Sequence, residues 1–352
     1  MRVSLLHYTL PPAIGGVERV VGTQAEALRS LGHEVSLWPA QQKAEFAAAL
    51  ARGAVDAVIV HNVFTMPFDL EWTRELTRLA LARKDVLWIN WVHDVAAVNP
   101  HYAGIPWKEP APRALHVAVS EARRRDYERA AGLRDIRVIP NGLDMAQVLG
   151  LTRRVKELGL ESCGLVLFHP ARLVRRKNIE LGIRVTSALR KAGVDALYLV
   201  SGAPDPHQAD GRAYHAELCR LAGELGLDDG VRFLGEDGPL CEADVRALYA
   251  AADLLFFPST GEGFGLPLLE AAAHRLPVWC SDLPVHREVL GDGAHFFPAN
   301  SPPETISAQI MRWWRADVPD ACRKSLWRRH DMLKICLEHL EPLLLAHTHD
   351  HD

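Results

Sequence analysis

The chain has 352 residues, with 40 Lys+Arg against 44 Asp+Glu, a formal charge of -4 and a pI near 6.5. That length suffices for two cores of ordinary size, and the charge balance excludes a general attraction to nucleic acid while leaving room for a local basic patch. Six cysteines at 163, 219, 241, 280, 322 and 336 make no CxxC pair and read as buried free thiols of a reducing cytosol.

No apolar run reaches the ~18 residues that a membrane span requires. The opening "MRVSLLH" runs straight into a strand pattern without a small-residue cleavage site. A cytoplasmic protein follows, with at most peripheral contact at the inner membrane surface.

In chain order, "RVSLLH" is an apolar strand followed by a Pro/Gly loop. Val17, Val20, Val21, Ala25, Leu28 and Leu31 then recur at helical spacing until Gly32 stops the helix. "HEVSLW", "VDAVIV", a helix over about 69–83, "VLWINWV", "ALHVAV", a helix opened by Ser120, and "IRVIP" continue the alternation. Strands apolar on both faces and alternating with helices predict a parallel sheet covered on both sides.

"LTRRVKELGLESCG" interrupts that rhythm and marks a domain boundary. The pattern restarts with "LVLFHP", a helix over 178–191, "ALYLVSG", a helix over 214–225, "VRFLG", a helix over about 242–251, "DLLFFP" and "PVWCSD". From about Pro303 onward the chain reads as helical and Trp-rich. The fold class is therefore α/β, with two doubly wound domains in tandem. Ligands of open parallel sheets lie beyond the carboxyl ends of the strands, which puts the expected site in a cleft between the two sheets.

Three loops carry chemistry. "GEGFGLPLLEA", residues 261–271, follows the buried strand "DLLFFP" and opens a helix with Pro267 in its first turn. Unpaired N–H groups at that helix start, with glycines permitting close approach, suit a phosphate or another anion. Glu270, a turn further on, is placed to accept hydrogen bonds from ribose hydroxyls, and Glu262 faces the other end of such a ligand. "HPARLVRRKNIELG" brings Arg172, Arg175, Arg176 and Lys177 to the end of another strand of that sheet. "PPAIGGVERVVG" repeats the anion-site logic at Gly15 and Gly16. It lacks the GxGxxG pattern, and no acidic residue ends the following strand, so a dinucleotide fingerprint is absent.

These motifs resemble the retaining glycosyltransferases of family 4, over nearly the whole chain. The likeness is strongest in "LFHPARLVRRKNIELGI", in "LYAAADLLFFPSTGEGFGLPLLEAAAHRLPVWCSD" with its Glu262-x7-Glu270 spacing, and in "PVHREVLGDGA". "GGVERV" and "VIPNGLD" support it. The resemblance implies the GT-B fold, in which two Rossmann-like domains face a central cleft. Residues 1–155 would form the acceptor-side domain and 160–325 the donor-binding domain, with a helix over about 330–346 crossing back onto the first.

It further implies transfer of a hexose from a UDP- or GDP-hexose to a hydroxyl acceptor, with retention and without a metal or other cofactor. Glu262 would touch the transferred sugar. Gly263, Phe264, Gly265 and Leu266 would hold sugar and diphosphate, and Glu270 the ribose. Arg172 and Lys177 would carry the donor phosphates, with Gly15 and Gly16 nearby, and His93 in "WVHD" would lie near the donor sugar. Arg175 and Arg176 match no required position and are expected to face solvent.

The acceptor would be a sugar, a glycan, a lipid-linked or small-molecule hydroxyl, with walls offered by His61, Asn62, Tyr102 and Trp107. The basic helix "EARRRDYERAAGLR" reads as a solvated face before a lipid contact. Two departures stand out: "AAAHRLPV", where the family has a small residue, and "DLPVHREV", where it has a Gly-Gly pair. A nucleotide-sugar epimerase or glucan phosphorylase on the same architecture, or a non-catalytic subunit, are the competing readings. A phosphorylase would need a pyridoxal lysine and a far longer chain, and a degenerate subunit would be expected to lose Glu262 or Lys177.

Overall fold

The computed structural model describes residues 1–105, 108–110, 112–202, 211–236, 238–316 and 318–349. Trp107 and the terminal Asp350-His351-Asp352 lie outside them.

The chain divides into two compact units, Met1–Met145 with Arg329–Asp352, and Ala146–Arg328. In the first, β1 (Arg2–His7), α1 (Gly16–Ser30), β2 (Glu34–Pro39), α2 (Lys43–Ala51), β3 (Ala57–His61), α3 (Leu70–Ala82), β4 (Leu87–Val92), β5 (Leu115–Ala118), α4 (Glu121–Ala131) and β6 (Ile136–Val138) follow one another. They build a parallel sheet in the order β2-β1-β3-β4-β5-β6. Every residue of β3 and β4 is buried, as strands covered on both faces require.

The C-terminal segment α14 (Met332–Ile335), a π-helical turn over Cys336–Leu340, and α15 (Glu341–His349) belong to this unit. Met332, Ile335, Cys336, Leu340, Leu343 and Leu344 share one core with Val3, Leu5, Val21 and Leu28. Gly142 makes that packing possible, because a Cβ there would lie 2.8 Å from the Met332 Cα.

The second unit comprises α5 (Met145–Val148), which straddles the division, α6 (Arg153–Lys156), β7 (Leu165–His169), α7 (Ile179–Lys191), β8 (Ala196–Val200), α8 (Gly211–Glu224), β9 (Val231–Phe233), α9 (Glu242–Ala251), β10 (Leu254–Phe257), α10 (Leu266–Ala273), β11 (Val278–Ser281), α11 (Pro284–Leu290), β12 (His295–Phe297), α12 (Pro303–Ala316) and α13 (Val318–His330). Its parallel sheet runs β12-β11-β10-β7-β8-β9. Counted from β7, this is the 3-2-1-4-5-6 order of the doubly wound folds.

The architecture is two Rossmann-like α/β units. Each sheet reverses its strand order once, between β1 and β3 in the first and between β7 and β10 in the second. Loops leaving neighbouring strands there diverge to opposite faces and open a crevice at the carboxyl edge.

No described helix is long and apolar enough to cross a membrane. The arginines of α4 are largely spent on its own carboxylates: Arg123 and Arg129 pair with Asp126, and Arg124 with Glu121 and Glu128. Among the described cysteines, Cys280 and Cys336 are buried, whereas Cys219 and Cys241 are exposed. The expectation of uniformly buried thiols therefore gives way for those two.

Candidate active site

At the reversal of the second sheet, β7 and β10 lie side by side and their loops are sewn together. The Thr260 N–H donates to the Arg176 carbonyl at 2.8 Å, and the Asn178 amide donates to the Pro258 carbonyl at 3.2 Å. Asn178 takes the left-handed conformation, φ +52°, which ends the cationic turn and starts α7. Gly202 seats the turn from the far side, since a Cβ there would fall 2.2 Å from the Ala171 carbonyl oxygen and 2.5 Å from the Arg172 Cα. A bulkier residue at 202 would push Arg172 out of place.

This stitching brings Lys177 to Glu262. Lys177 Nζ donates to Glu262 Oε1 at 2.5 Å, and both side chains are mostly buried. The ammonium also lies 4.8 Å from the centre of the Phe257 ring. Burial pushes the Glu262 carboxyl up, but the hydrogen bond from Lys177, the nearby Ser259 hydroxyl, the Lys177 charge and the hydrogen bond from Arg176 outweigh it, so it sits below the ordinary glutamate value. Lys177 is drawn down by burial and by the charges of Arg176 and Arg172, against the pull of Glu262. Arg172 itself is exposed at the head of the loop.

Arg176 does not simply face solvent, as its position suggested. Its guanidinium donates at 3.0 Å to Glu262 Oε2 and at 3.0 Å to the Gly261 carbonyl. Arg175 stays more open but is paired with Glu217 at 2.9 Å and stacked over the Tyr214 ring at 4.7 Å. The sequence signal for Arg176 was its two-strand neighbourhood, which only the β7–β10 pairing makes visible.

The glycine loop then turns into α10. Gly265 is the N-cap at φ +91°, a left-handed conformation that L side chains resist. Leu266, not Pro267, is the first helical residue. A Cβ at Gly263 would meet nothing within 4 Å, so its backbone faces open space. The N–H groups of Gly263, Phe264, Gly265 and Leu266 have no acceptor among the described residues. Phe264 and Leu266 are exposed beside them. Together with Lys177, these groups form a positively polarised edge suited to an anion.

Glu270 lies one turn into α10 and is held from behind. The Tyr249 hydroxyl, on α9, donates to Glu270 Oε2 at 2.6 Å, and the Tyr249 ring is buried and stacked on His274 at 5.4 Å. Oε1 of Glu270 is left for another donor. Tyr249 is a residue the sequence reading did not single out.

The carboxyl edge of the first sheet has a different chemistry. His7, His61 and His93 sit at the ends of β1, β3 and β4. The Asn141 amide donates to His93 Nδ1 at 3.2 Å, which leaves the proton on Nε2 to bond His61 Nδ1 at 3.0 Å. The two rings stack at 5.3 Å. Burial pushes His93 down to about 3, and drives His61 well below and His7 below the ordinary imidazole value. All three are neutral at pH 7. His61 Nε2 has no partner among the described residues.

Asn62, at φ +61°, accepts from the His93 and Asp94 N–H groups at 2.8 and 3.0 Å. His61 and Asn62 are thus interior groups that hold His93, at 0% and 3% exposure, rather than walls for an acceptor. Tyr102, by contrast, belongs to a half-exposed aromatic group: its ring meets Phe68 at 5.8 Å, and Phe68 meets Tyr8 at 5.1 Å.

Gly15 and Gly16 open α1 without forming a vacant anion site. The Glu18 carboxylate folds back over Gly15, where a Cβ would come within 1.9 Å of Oε2, and it accepts from Thr9. A side chain at 15 would have to displace that carboxylate. The N-terminus of α1 already carries a negative charge, so the phosphate contact expected of Gly15 has a competitor in the chain itself.

Residues 153–324 match the family described as "Glycosyl transferases group 1". The D-inositol 3-phosphate glycosyltransferase of Salinispora arenicola is 31% identical over 259 residues, covering 66% of this chain and 55% of that protein. The O-antigen chain mannosyltransferase RfbU of Salmonella typhimurium is 42% identical over 81 residues, 23% of this chain and 22% of that protein. Among solved structures, Anabaena Alr3699/HepE in complex with UDP aligns over 97% of this chain and 99% of its own, with 19% identity and a TM-score of 0.41. The chain spans about half the length of the D-inositol 3-phosphate glycosyltransferases it matches.

Proposed function

We propose that this chain, whose residues 153–324 match the group 1 glycosyl transferases, moves a hexose from a UDP- or GDP-hexose to a hydroxyl acceptor, with retention and without a metal. The observation that carries this reading is the Lys177–Glu262 pair beside the row of open N–H groups from Gly263 to Leu266. A diphosphate needs fixed positive charge, and a sugar needs a carboxylate to accept from its hydroxyls. One crevice holds both.

In this reading the diphosphate of the donor takes Lys177 away from Glu262 and adds Arg172 and the α10 N-terminus as partners. Glu262, released, accepts from hydroxyls of the transferred sugar. When the sugar–phosphate bond breaks, positive charge grows at the anomeric carbon and negative charge on the leaving diphosphate. Fixed cations and N–H groups stabilise that charge more than the ground state, which is what lowers the barrier. Glu270 accepts from the ribose through Oε1 while Tyr249 holds Oε2. On the first unit, a sugar hydroxyl replaces the Asn141 amide at His93 Nδ1, and the Tyr8–Phe68–Tyr102 group offers apolar faces to an acceptor ring. The acceptor class remains a sugar, a glycan or a lipid-linked or small-molecule alcohol, reached in the cytoplasm or at the inner membrane surface.

The test is release of nucleoside diphosphate from a panel of UDP- and GDP-hexoses, with and without alcohol acceptors, and the anomeric configuration of the product by NMR. Turnover of one donor to a retained glycoside is the expected result. Interconversion of the donor sugar without nucleotide release would identify an epimerase instead. Donor binding without either reaction would identify a non-catalytic subunit.

A further inference from the structure

Away from that crevice, at the β9 edge of the second sheet, we propose that His215, Cys219 and Glu236 bind a divalent transition-metal ion of the zinc class, stapling α8 to the turn after β9. Among the described residues, this is the one group of three metal-ligating side chains whose ligand atoms all lie within 4.8 Å of one another.

Helical periodicity supplies the first two ligands. His215 and Cys219 are four residues apart on α8, so their side chains project from one face. Glu236 arrives from the turn that follows β9. The His215 ring is fixed edge-on against Phe233 at 4.9 Å, which aims its Nε2 outward at the other two groups.

The pattern of contacts then distinguishes a cation site from a nucleophile relay. In a Cys–His–carboxylate relay, the thiol and the carboxylate engage different ring nitrogens, so that the imidazole passes a proton between them. Here both converge on one atom: Cys219 Sγ lies 3.3 Å and Glu236 Oε1 2.9 Å from the same His215 Nε2. One N–H cannot serve two acceptors well. An ion at the centre satisfies all three.

The two separations from His215 Nε2 suit such an ion. Tetrahedral zinc bonds of about 2.0–2.1 Å to nitrogen, 2.3 Å to sulfur and 2.0–2.2 Å to oxygen place N···S near ~3.5 Å and N···O near ~3.3 Å. The observed separations fall a few tenths of an ångström short, which exposed side chains at 219 and 236 can take up. A thiolate, a carboxylate and a neutral imidazole against two positive charges give a neutral site, and the soft sulfur selects zinc-like ions over magnesium or calcium. Burial and the nearby Glu236 charge push the Cys219 thiol up when no ion is bound. The ion replaces the thiol proton, which leaves to solvent.

The same helix reaches the proposed donor site from another side. Tyr214 and Glu217 grip Arg175, two residues from Lys177. An ion at 215/219/236 therefore braces a helix that in turn steadies the cationic loop, without taking part in the chemistry.

Cobalt(II) is the probe, because a thiolate ligand gives it a near-ultraviolet charge-transfer absorption that histidine and carboxylate do not. This matters because the C-terminal "HTHDHD" offers three histidines but no cysteine. Titrated into the full chain, Co²⁺ should raise that band to saturation at one ion per chain, and Zn²⁺ should bleach it. Cys219→Ser should abolish it, and His215→Ala and Glu236→Ala should each weaken binding by about tenfold or more, on the scale of lost metal-site groups. Cys241→Ser, the other exposed thiol among the described residues, should leave it intact. Absence of the band, or its survival in Cys219→Ser, would overturn the proposal.

Discussion

The two carboxyl edges of this molecule each open at the single strand-order reversal of a doubly wound sheet, 2-1-3-4-5-6 in the first unit and 3-2-1-4-5-6 in the second, yet they differ in electrostatics. Beyond β1, β3 and β4 stand three imidazoles stripped of charge by burial: His93 is held by Asn141, Asn62 and His61, and His7 is bonded to the His61 carbonyl. Beyond β7 and β10 stand Arg172, Arg176, Lys177 and Glu262, charged and bonded to one another where they meet. A doubly wound sheet supplies only the crevice; what the crevice takes depends on the loops. The charged edge suits a diphosphate, which is attracted by fixed cations. The edge of neutral imidazoles, with the Glu18 and Asp94 carboxylates beside it, suits hydroxyls, which need directed hydrogen bonds and no fixed cations.

The largest effects should therefore fall on the charged edge. Lys177→Ala and Glu262→Gln should each raise the barrier by at least about 3 kcal/mol in kcat, the scale of one lost transition-state contact. Arg176→Ala should do much less, because its guanidinium is half-exposed and screened by solvent. Single-turnover kinetics on the three variants with a productive donor give the ranking. If Arg176→Ala proved as severe as Lys177→Ala, the division of labour within the loop would be wrong.

The neutral edge should respond to charge introduced rather than removed. With His93 pushed down to about 3, its imidazole does not titrate between pH 5 and 8, and kcat/KM should show no limb from it in that range. Asn141→Asp places a carboxylate 3.2 Å from Nδ1 and should raise the His93 value, because the anion favours imidazolium. The variant should then lose activity as pH falls, through protonation of His93, and recover it at higher pH. A pH–rate profile identical to that of the parent chain would remove His93 Nδ1 from the proposed contact with the sugar.

Much of this contrast was legible in the sequence, for identifiable reasons. Buried parallel strands such as "LVLFHP" and "DLLFFP" declare themselves by continuous apolar runs, and the anion-facing loop by three glycines within five residues ahead of a helix. β12 and α2 went unmarked, the first because it has three residues and the second because its alanines carry no clear stripe. Within the crevice, the closeness of Lys177 to Glu262 spans 85 residues and depends on which strands are neighbours. The same holds for Arg176 on Glu262 and Tyr249 behind Glu270. Local periodicity finds strands; it does not order them. His61 and Asn62 show the converse, since polar residues at a strand end read as surface until the burial around them is known.

A smaller effect should separate binding from chemistry at the charged edge. Glu270→Ala should weaken free nucleoside diphosphate while leaving kcat at saturation nearly unchanged, because a ribose contact is made equally in ground and transition states. Tyr249→Phe removes only the bond that fixes Oε2 and should weaken nucleotide binding by about 1 kcal/mol, the net worth of one such bond. Calorimetric titration with UDP and GDP measures both. Unchanged affinity in Glu270→Ala would detach the ribose from α10.

The smallest expected effect is none at all, and it tests the charge accounting of the charged edge as a whole. A leaving diphosphate needs positive charge, which many enzymes provide as a divalent ion. Here Lys177, Arg172 and the N–H groups opening α10 already converge on the crevice, and the one carboxylate among them, Glu262, is held by Lys177 and Arg176. An ion competing for Glu262 would have to displace two cations before the donor binds, and Arg176 together with the sugar hydroxyls afterwards. Turnover should therefore survive excess EDTA, and deletion of residues 347–352 should not reduce it. The metal staple proposed for His215, Cys219 and Glu236 refines this expectation without altering it: chelation should lower the melting temperature of the parent chain and not that of Cys219→Ser, with kcat at 25 °C unchanged in both. Loss of turnover in EDTA, restored by Mg²⁺ or Mn²⁺ and by neither cobalt nor zinc at the staple, would mean that the diphosphate is held by an ion the protein's own cations do not replace.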